Sequence, residues 1–254
     1  MRRRRHQVFL GTFVALLVFG FAATAAALQL QTGSTVLEFD ARVSPKTLTK
    51  TAAQAAAVRV SGRVFTTDGS VPSALTQLQV KVDNDVVLDT AGLPVCRLGQ
   101  IQAVDITKAA RVCRRSLLGR GTMAYTVAFP GSPPLLLRGR VLIFNSGSRR
   151  SGAKLLAYQY SKVPIASVAV TPVRIRRAGR HGLSAIATVP RIAGGAGFLT
   201  SFSVKLRKKY SFRGERKSVI SASCGHRRIR LRVRANFANG GSSQGSLTHG
   251  CKGR

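Results

Sequence analysis

Tryptophan is absent from the 254 residues, and tyrosine occurs only four times. Sugar-binding faces commonly stack on exposed aromatic rings. Tyr158 and Tyr160, two apart on one face of an expected strand, are the sole platform, and a buried or cross-strand role suits them better. Acid is also short: eight Asp and Glu stand against 41 Lys and Arg. Beyond Asp105 the one acidic residue is Glu215, so the C-terminal half lacks the carboxylate pair of a glycosidase. No C-x-x-C or H-x-x-x-H spacing offers a zinc site. The stretch "DNDVVLD" (83–89) presents Asp83, Asp85 and Asp89 but lacks the glycine of a calcium loop, and reads as a solvated strand end. "GSSQG" (241–245) has the letters of a nucleophile elbow, yet no acid follows before His249 and the surroundings read as a hairpin. "GGAG" (194–197) lacks dinucleotide-fingerprint spacing and reads as a turn. These shortages point to a non-catalytic chain without cofactor or metal.

Long apolar runs are missing except at the N-terminus. There "MRRRRHQ" precedes the apolar "VFLGTFVALLVFGF" and the small-residue "AATAAA", the three parts of an export signal ending at Ala27. The expectation is a secreted or cell-wall-associated protein with no membrane span after cleavage at 27. Four cysteines in an exported chain suggest two disulfides, with three possible connectivities.

What is abundant is positive charge, unevenly spread. Residues 28–105 hold seven Lys/Arg and seven Asp/Glu; residues 106–254 hold thirty Lys/Arg and one acid, a net of 30 − 1 = +29. Such asymmetry speaks to partners rather than to fold.

The chain also matches itself. "ALTQLQVKV" (74–82) aligns with "FLTSFSVKL" (198–206), sharing Leu75/Leu199, Thr76/Thr200, Val80/Val204 and Lys81/Lys205. Upstream of both copies an alternating run enters a turn; downstream Cys96 and Cys224 take nearly the same place. "GTMAYTVAF" (121–129) then matches "IRLRVRANF" (229–237). The first copy carries about twenty extra residues, which hold the one good helical pattern: Asp105 caps a segment at about 106–118 with Ile106, Ala110, Cys113 and Leu117 on one face. Because Cys96 and Cys224 are repeat-equivalent, the simplest connectivity is Cys96–Cys113 and Cys224–Cys251. The remainder reads as short period-2 strands divided by turn signals, with the pair around 135–161 lacking a clear counterpart and bridging the copies.

The expected fold class is therefore mainly β: two tandem, duplicated β-sandwich modules of immunoglobulin-like type, one helix being inserted in the first. The expected domains are a signal peptide at 1–27, a first repeat at 28–163 and a strongly basic second repeat at 164–254. "GLPVC" (92–96), "PRIAGGAG" (190–197) and "SASC" (221–224), behind a signal peptide, resemble an uncharacterised family of secreted, β-rich proteins of high-GC actinobacteria. The resemblance spans most of the mature chain and implies a Gram-positive envelope setting; it implies no activity.

Arginine and lysine alternate with apolar residues in three expected strands: Arg174 and Arg176; Lys205 and Arg207; and Arg228, Arg230, Arg232 and Arg234. If these share a sheet face, that face suits anionic cell-wall polymers or acidic polysaccharide, because guanidinium–phosphate contacts are charge-assisted and often bidentate. The competing readings are a structural or protein-binding module with incidental charge and a hydrolase with an unrecognised site. Specific nucleic-acid recognition is disfavoured by the few aromatics among the basic runs.

Overall fold

The computed structural model describes residues 27–149, 152–162, 166–179 and 182–254. The expected signal peptide therefore lies outside the described residues except for Ala27. In chain order the strands are β1 (Leu28–Thr32), β2 (Thr35–Ser44), β3 (Thr47–Leu48), β4 (Gln54–Ala55), β5 (Ala57–Thr66), β6 (Leu75–Val82) and β7 (Val86–Leu88). Helix α1 (Ile106–Val112) follows, then β8 (Leu117–Val127), β9 (Leu135–Arg149), β10 (Gly152–Ser161), β11 (Ser167–Arg177) and β12 (Leu183–Thr188). The rest are β13 (Gly197–Leu206), β14 (Lys209–Phe212), β15 (Glu215–Ser218), β16 (Ile220–Ala222), β17 (Arg228–Phe237), β18 (Ser242–Gly250) and β19 (Lys252–Gly253).

The strands form because apolar residues recur at every second position, giving each ribbon one dry face. In β17 the alternation is complete: Ile229, Leu231, Val233 and Ala235 are buried, and Arg228, Arg230, Arg232 and Arg234 are exposed. Twelve strands join one antiparallel sheet in the order β1-β2-β5-β13-β8-β9-β10-β11-β12-β6-β17-β18. The sheet curls until β18 lies against β1, closing a barrel in all but the last ladder. At that seam glycine lets the leucines of β1 come close, since a Cβ at Gly245 would stand 2.8 Å from Leu28 Cδ1 and 3.0 Å from Leu30 Cδ2. Past the short β1, His249 Nε2 sits 3.4 Å from Asp40 Oδ1, so β18 also comes beside β2.

Mainly β is what the structure shows, but the strands do not divide into two consecutive sandwiches at 163/164. Segments 28–163 and 164–254 interleave in the single sheet. Its two halves, β1-β2-β5-β13-β8-β9 and β10-β11-β12-β6-β17-β18, run in parallel order. The repeat-related pairs fall in matching places: β13 and β6 are fourth in their halves, β8 and β17 fifth. Each copy has lent that fourth strand to the other half. The loans are made by two connections of equal length, 67–74 and 189–196, eight residues each, which cross the same end of the barrel. Local pattern could not reveal this, because β6 and β13 have the same apolar inward pattern, Leu75, Leu78, Val80 and Val82 against Leu199, Phe202, Val204 and Leu206. By position in the sheet, β9 and β10 correspond to β18 and β1, and their pairing joins the two halves.

The main core fills the barrel, with Leu30, Leu37, Phe39 and Val233 wholly enclosed. Gly62 faces inward and makes room for the ring of Phe202; a Cβ there would lie 2.6 Å from Phe202 Cε1. A second core lies outside the barrel, where Cys96, Ile101, Ala109 and Cys113 cover Leu142, Phe144, Leu156 and Tyr158 of β9 and β10. Over 141–145 and 155–159 those two strands are thus buried on both faces, and each large side chain withdrawn from water there contributes about 1.5–3 kcal/mol. Asp105 caps α1, its Oδ1 accepting from Thr107 N at 2.7 Å and Lys108 N at 2.9 Å. The helix is shorter than expected: the chain turns at Cys113 into a 3-10 segment, Arg114–Ser116, as the cysteine joins Cys96.

Both disulfides have the expected connectivity. Cys96–Cys113 spans 5.5 Å between Cα atoms, and Cys224–Cys251 spans 6.0 Å. The second fastens the segments that plug the end opposite the crossovers, where β16 pairs with β4 and β7 and where β19 runs parallel to β3.

Candidate functional site

Since inward positions are taken by the core, charge goes outward, and strand register decides which charges meet. Across β17, β6, β12 and β11 one register row reads Arg232, Lys81, Ser184, Arg176. The next reads Arg234, Gln79, Ile186, Arg174 and continues to Lys154 on β10. Six of the eight expected anion-binding residues, Arg174, Arg176, Arg228, Arg230, Arg232 and Arg234, therefore occupy one outer face, joined by Lys81 and Lys154. Neighbouring strands are about 5 Å apart and same-face residues along a strand about 7 Å apart.

Lys205 and Arg207 are elsewhere. Strand β13 lies four places from β11 and five from β17 around the barrel, so the three basic strands do not form one patch. Lys205 belongs to a different row, Arg42–Arg59–Lys205–Arg120, across β2, β5, β13 and β8. The cause is the strand exchange: Lys81 and Lys205 are repeat equivalents, and each anchors the basic row of the half it was lent to.

Ion pairing separates the rows only in part, since Arg59, Lys205 and Arg120 make no ion pair among the described residues either. Beside the Lys205 row, Arg42 Nε meets Asp40 Oδ2 at 2.7 Å and Arg63 Nε meets Glu38 Oε2 at 3.3 Å. Among the described residues, Lys81, Arg174, Arg176, Arg228, Arg230, Arg232 and Arg234 make no ion pair. A groove of about 470 Å³ runs over that face, lined by Gln79, Lys81, Arg232, Arg234, Gln244 and Ser246 together with backbone of Val233 and Gly245. Its polar lining combines three cations with amide and hydroxyl donors, a set matched to anionic oxygen.

Sequence reasoning passed over a second basic groove. A concavity of about 1070 Å³ between the barrel wall and the start of α1 is lined by Arg63, Ile106, Arg138, Arg140, Tyr160 and Lys162, among others. The signal was present in "LLLRGRVLI", where Arg138 and Arg140 alternate with apolar residues as in β17.

The remaining candidates have structural work. Tyr158 is no sugar platform: it is enclosed beneath α1, packs near Phe144 and donates from its hydroxyl to the Val104 carbonyl. Burial, with Asp105 and Tyr160 nearby, pushes its hydroxyl up to about 12. The three aspartates of "DNDVVLD" accept hydrogen bonds from strand and loop groups. Asp83 Oδ2 accepts from Arg230 N at 2.8 Å, Asp85 Oδ1 from Ser223 Oγ at 3.0 Å, and Asp89 Oδ1 from Ala91 N at 2.8 Å. Burial is the main reason the Asp83 carboxyl is raised above the ordinary range, and Asp85 adds to it. "GSSQG" begins at the β17–β18 turn and runs into β18, with no helix after it. "GGAG" spans a 3-10 turn and the start of β13. Among the described residues no helix is long and apolar enough to cross a membrane. Compared with family models, curated proteins and solved structures, the chain matches none.

Proposed function

We propose that this is an exported, non-catalytic cell-envelope protein whose β11–β12–β6–β17 face binds anionic surface polymers electrostatically. The observation that carries the reading is the unpaired row Arg232–Lys81–Ser184–Arg176, backed by Arg228, Arg230, Arg234 and Arg174. Like charges about 5 Å apart lie within the Debye length of about 8 Å and repel unless covered. A linear polyanion laid across the strands relieves that repulsion and releases its own counterions, so binding is favoured by charge alone and weakens with salt. Guanidinium forks favour phosphate or carboxylate oxygens over neutral sugar hydroxyls. Two disulfides and the N-terminal leader support an oxidising location outside the cell, and the basic face suits wall polymers carrying phosphodiester or carboxylate groups.

The test is equilibrium binding of the mature chain to polyglycerol phosphate and to heparin over a range of sodium chloride. Affinity should fall steeply as salt rises. Absent or salt-independent binding would overturn the proposal.

A further inference from the structure

The barrel is well packed around some of its inward side chains and hollow beside others. Around β1, β2 and β17 the inward side chains Leu30, Leu37, Phe39 and Val233 are 2 % exposed or less. Around β5, β6, β11, β12 and β13 the inward residues Val60, Val80, Val173, Ala185 and Val204 are only partly buried, although they face the interior. They border a cavity of about 240 Å³. Protein interiors seldom keep voids larger than a water molecule, because lining atoms lose their dispersion partners on one side. Ordered water is a poor filling here, since each molecule needs two to four polar partners and the wall is nearly all aliphatic.

Two hydroxyls interrupt that wall. Tyr125 on β8 is 2 % exposed and Thr171 on β11 is 5 % exposed, and both line the cavity. The Tyr125 hydroxyl is directed to Met123 Sδ at 3.6 Å, a weak acceptor for a strong donor. Burial holds that hydroxyl at about 12, so it stays protonated and able to donate throughout the physiological range. The phenol is peculiar to its copy: the repeat equivalent of Tyr125 on β17 is Val233. The phenol shares a side-chain hydrogen bond with Thr171, and the acceptor its own proton faces is a thioether, which a ligand oxygen would better.

We infer that the barrel interior is a binding site for a small apolar molecule bearing one hydroxyl or carbonyl oxygen. It seats against Val80, Val173, Ala185 and Val204 with that oxygen accepting from Tyr125. At a liquid-like share of about 30 Å³ each, the cavity holds about eight non-hydrogen atoms, the size of a medium-chain alcohol or aldehyde. The site is distinct from the outer basic face and does not depend on it.

The experiment is calorimetric titration of the mature protein with 1-octanol and, separately, with benzene, which offers no oxygen. The wild type should bind each saturably at one per chain, insensitive to salt. Ala185→Leu, which fills the lumen from β12, should reduce both affinities at least tenfold. Tyr125→Phe should weaken octanol at least fivefold and leave benzene within twofold. No saturable octanol binding by the wild type would overturn the inference, as would octanol affinity unchanged in Tyr125→Phe. If Ala185→Leu does not fold, the octanol-against-benzene response of Tyr125→Phe decides alone.

Discussion

Strands β8 and β17 are the same repeat element in two halves of one barrel, and they have diverged on opposite faces. Inward, Met123, Tyr125 and Val127 stand where β17 has Leu231, Val233 and Ala235: both sets stay apolar apart from one phenolic hydroxyl. Outward, Thr122, Ala124 and Thr126 stand where β17 has Arg230, Arg232 and Arg234. The inner face is constrained because its residues must stay apolar inside the barrel, whereas the outer face meets water and tolerates exchange. The two matching strands thus differ most where packing does not forbid it.

The contrast sets the order of expected effects. Val233→Asp places an unpaired charge in the core and should cost about 3–5 kcal/mol in urea unfolding, or abolish folding. Its outward neighbour Arg232→Thr should change stability by less than about 0.5 kcal/mol. Equal losses from the two would show that the β17 arginines are structural. The disulfides come next. Replacing Cys224 and Cys251 by Ser opens a 27-residue separation and should cost about 3.5 kcal/mol; the same change at Cys96 and Cys113, separated by 17, should cost about 3 kcal/mol. Circular dichroism should show the second pair loosening the outer helical layer while the barrel persists, because α1 packs outside it.

A smaller, pH-dependent effect belongs to Asp83, at the β6 end of the basic face. Its carboxyl is raised by burial, so the folded chain holds the proton more tightly than the unfolded chain does. The penalty is therefore present at neutral pH and is relieved as pH falls through the folded and then the unfolded value. Wild-type stability relative to Asp83→Asn should rise on acidification over that window. A constant difference would remove Asp83 as the cause.

Much of the fold was legible because β structure and disulfides leave local marks. The alternation of "RRIRLRVRANF" predicts β17 with its faces correctly assigned, Asp105 predicts the cap of α1, and the equivalence of Cys96 with Cys224 predicts both bridges. Strand partners were not legible. Lys81 and Lys205 occupy identical local patterns, and only the crossovers at 67–74 and 189–196 place each in the opposite half. That exchange put Lys81 into the basic face and took Lys205 out of it. The hollow interior was equally hidden, because Val80 and Val233 look alike in sequence, and whether the space before each is filled depends on the far wall.

The central claim is that the outward arginines of β17 belong to a polyanion-binding face and not to the framework. It is tested most directly by the salt dependence of polyglycerol phosphate binding, wild type against the variant with Arg228, Arg230, Arg232 and Arg234 all replaced by Thr. At about 0.7 released counterions per contact on a flexible chain, the log–log slope should flatten by about three, with the fold unchanged. An identical slope in a folded variant would contradict the account.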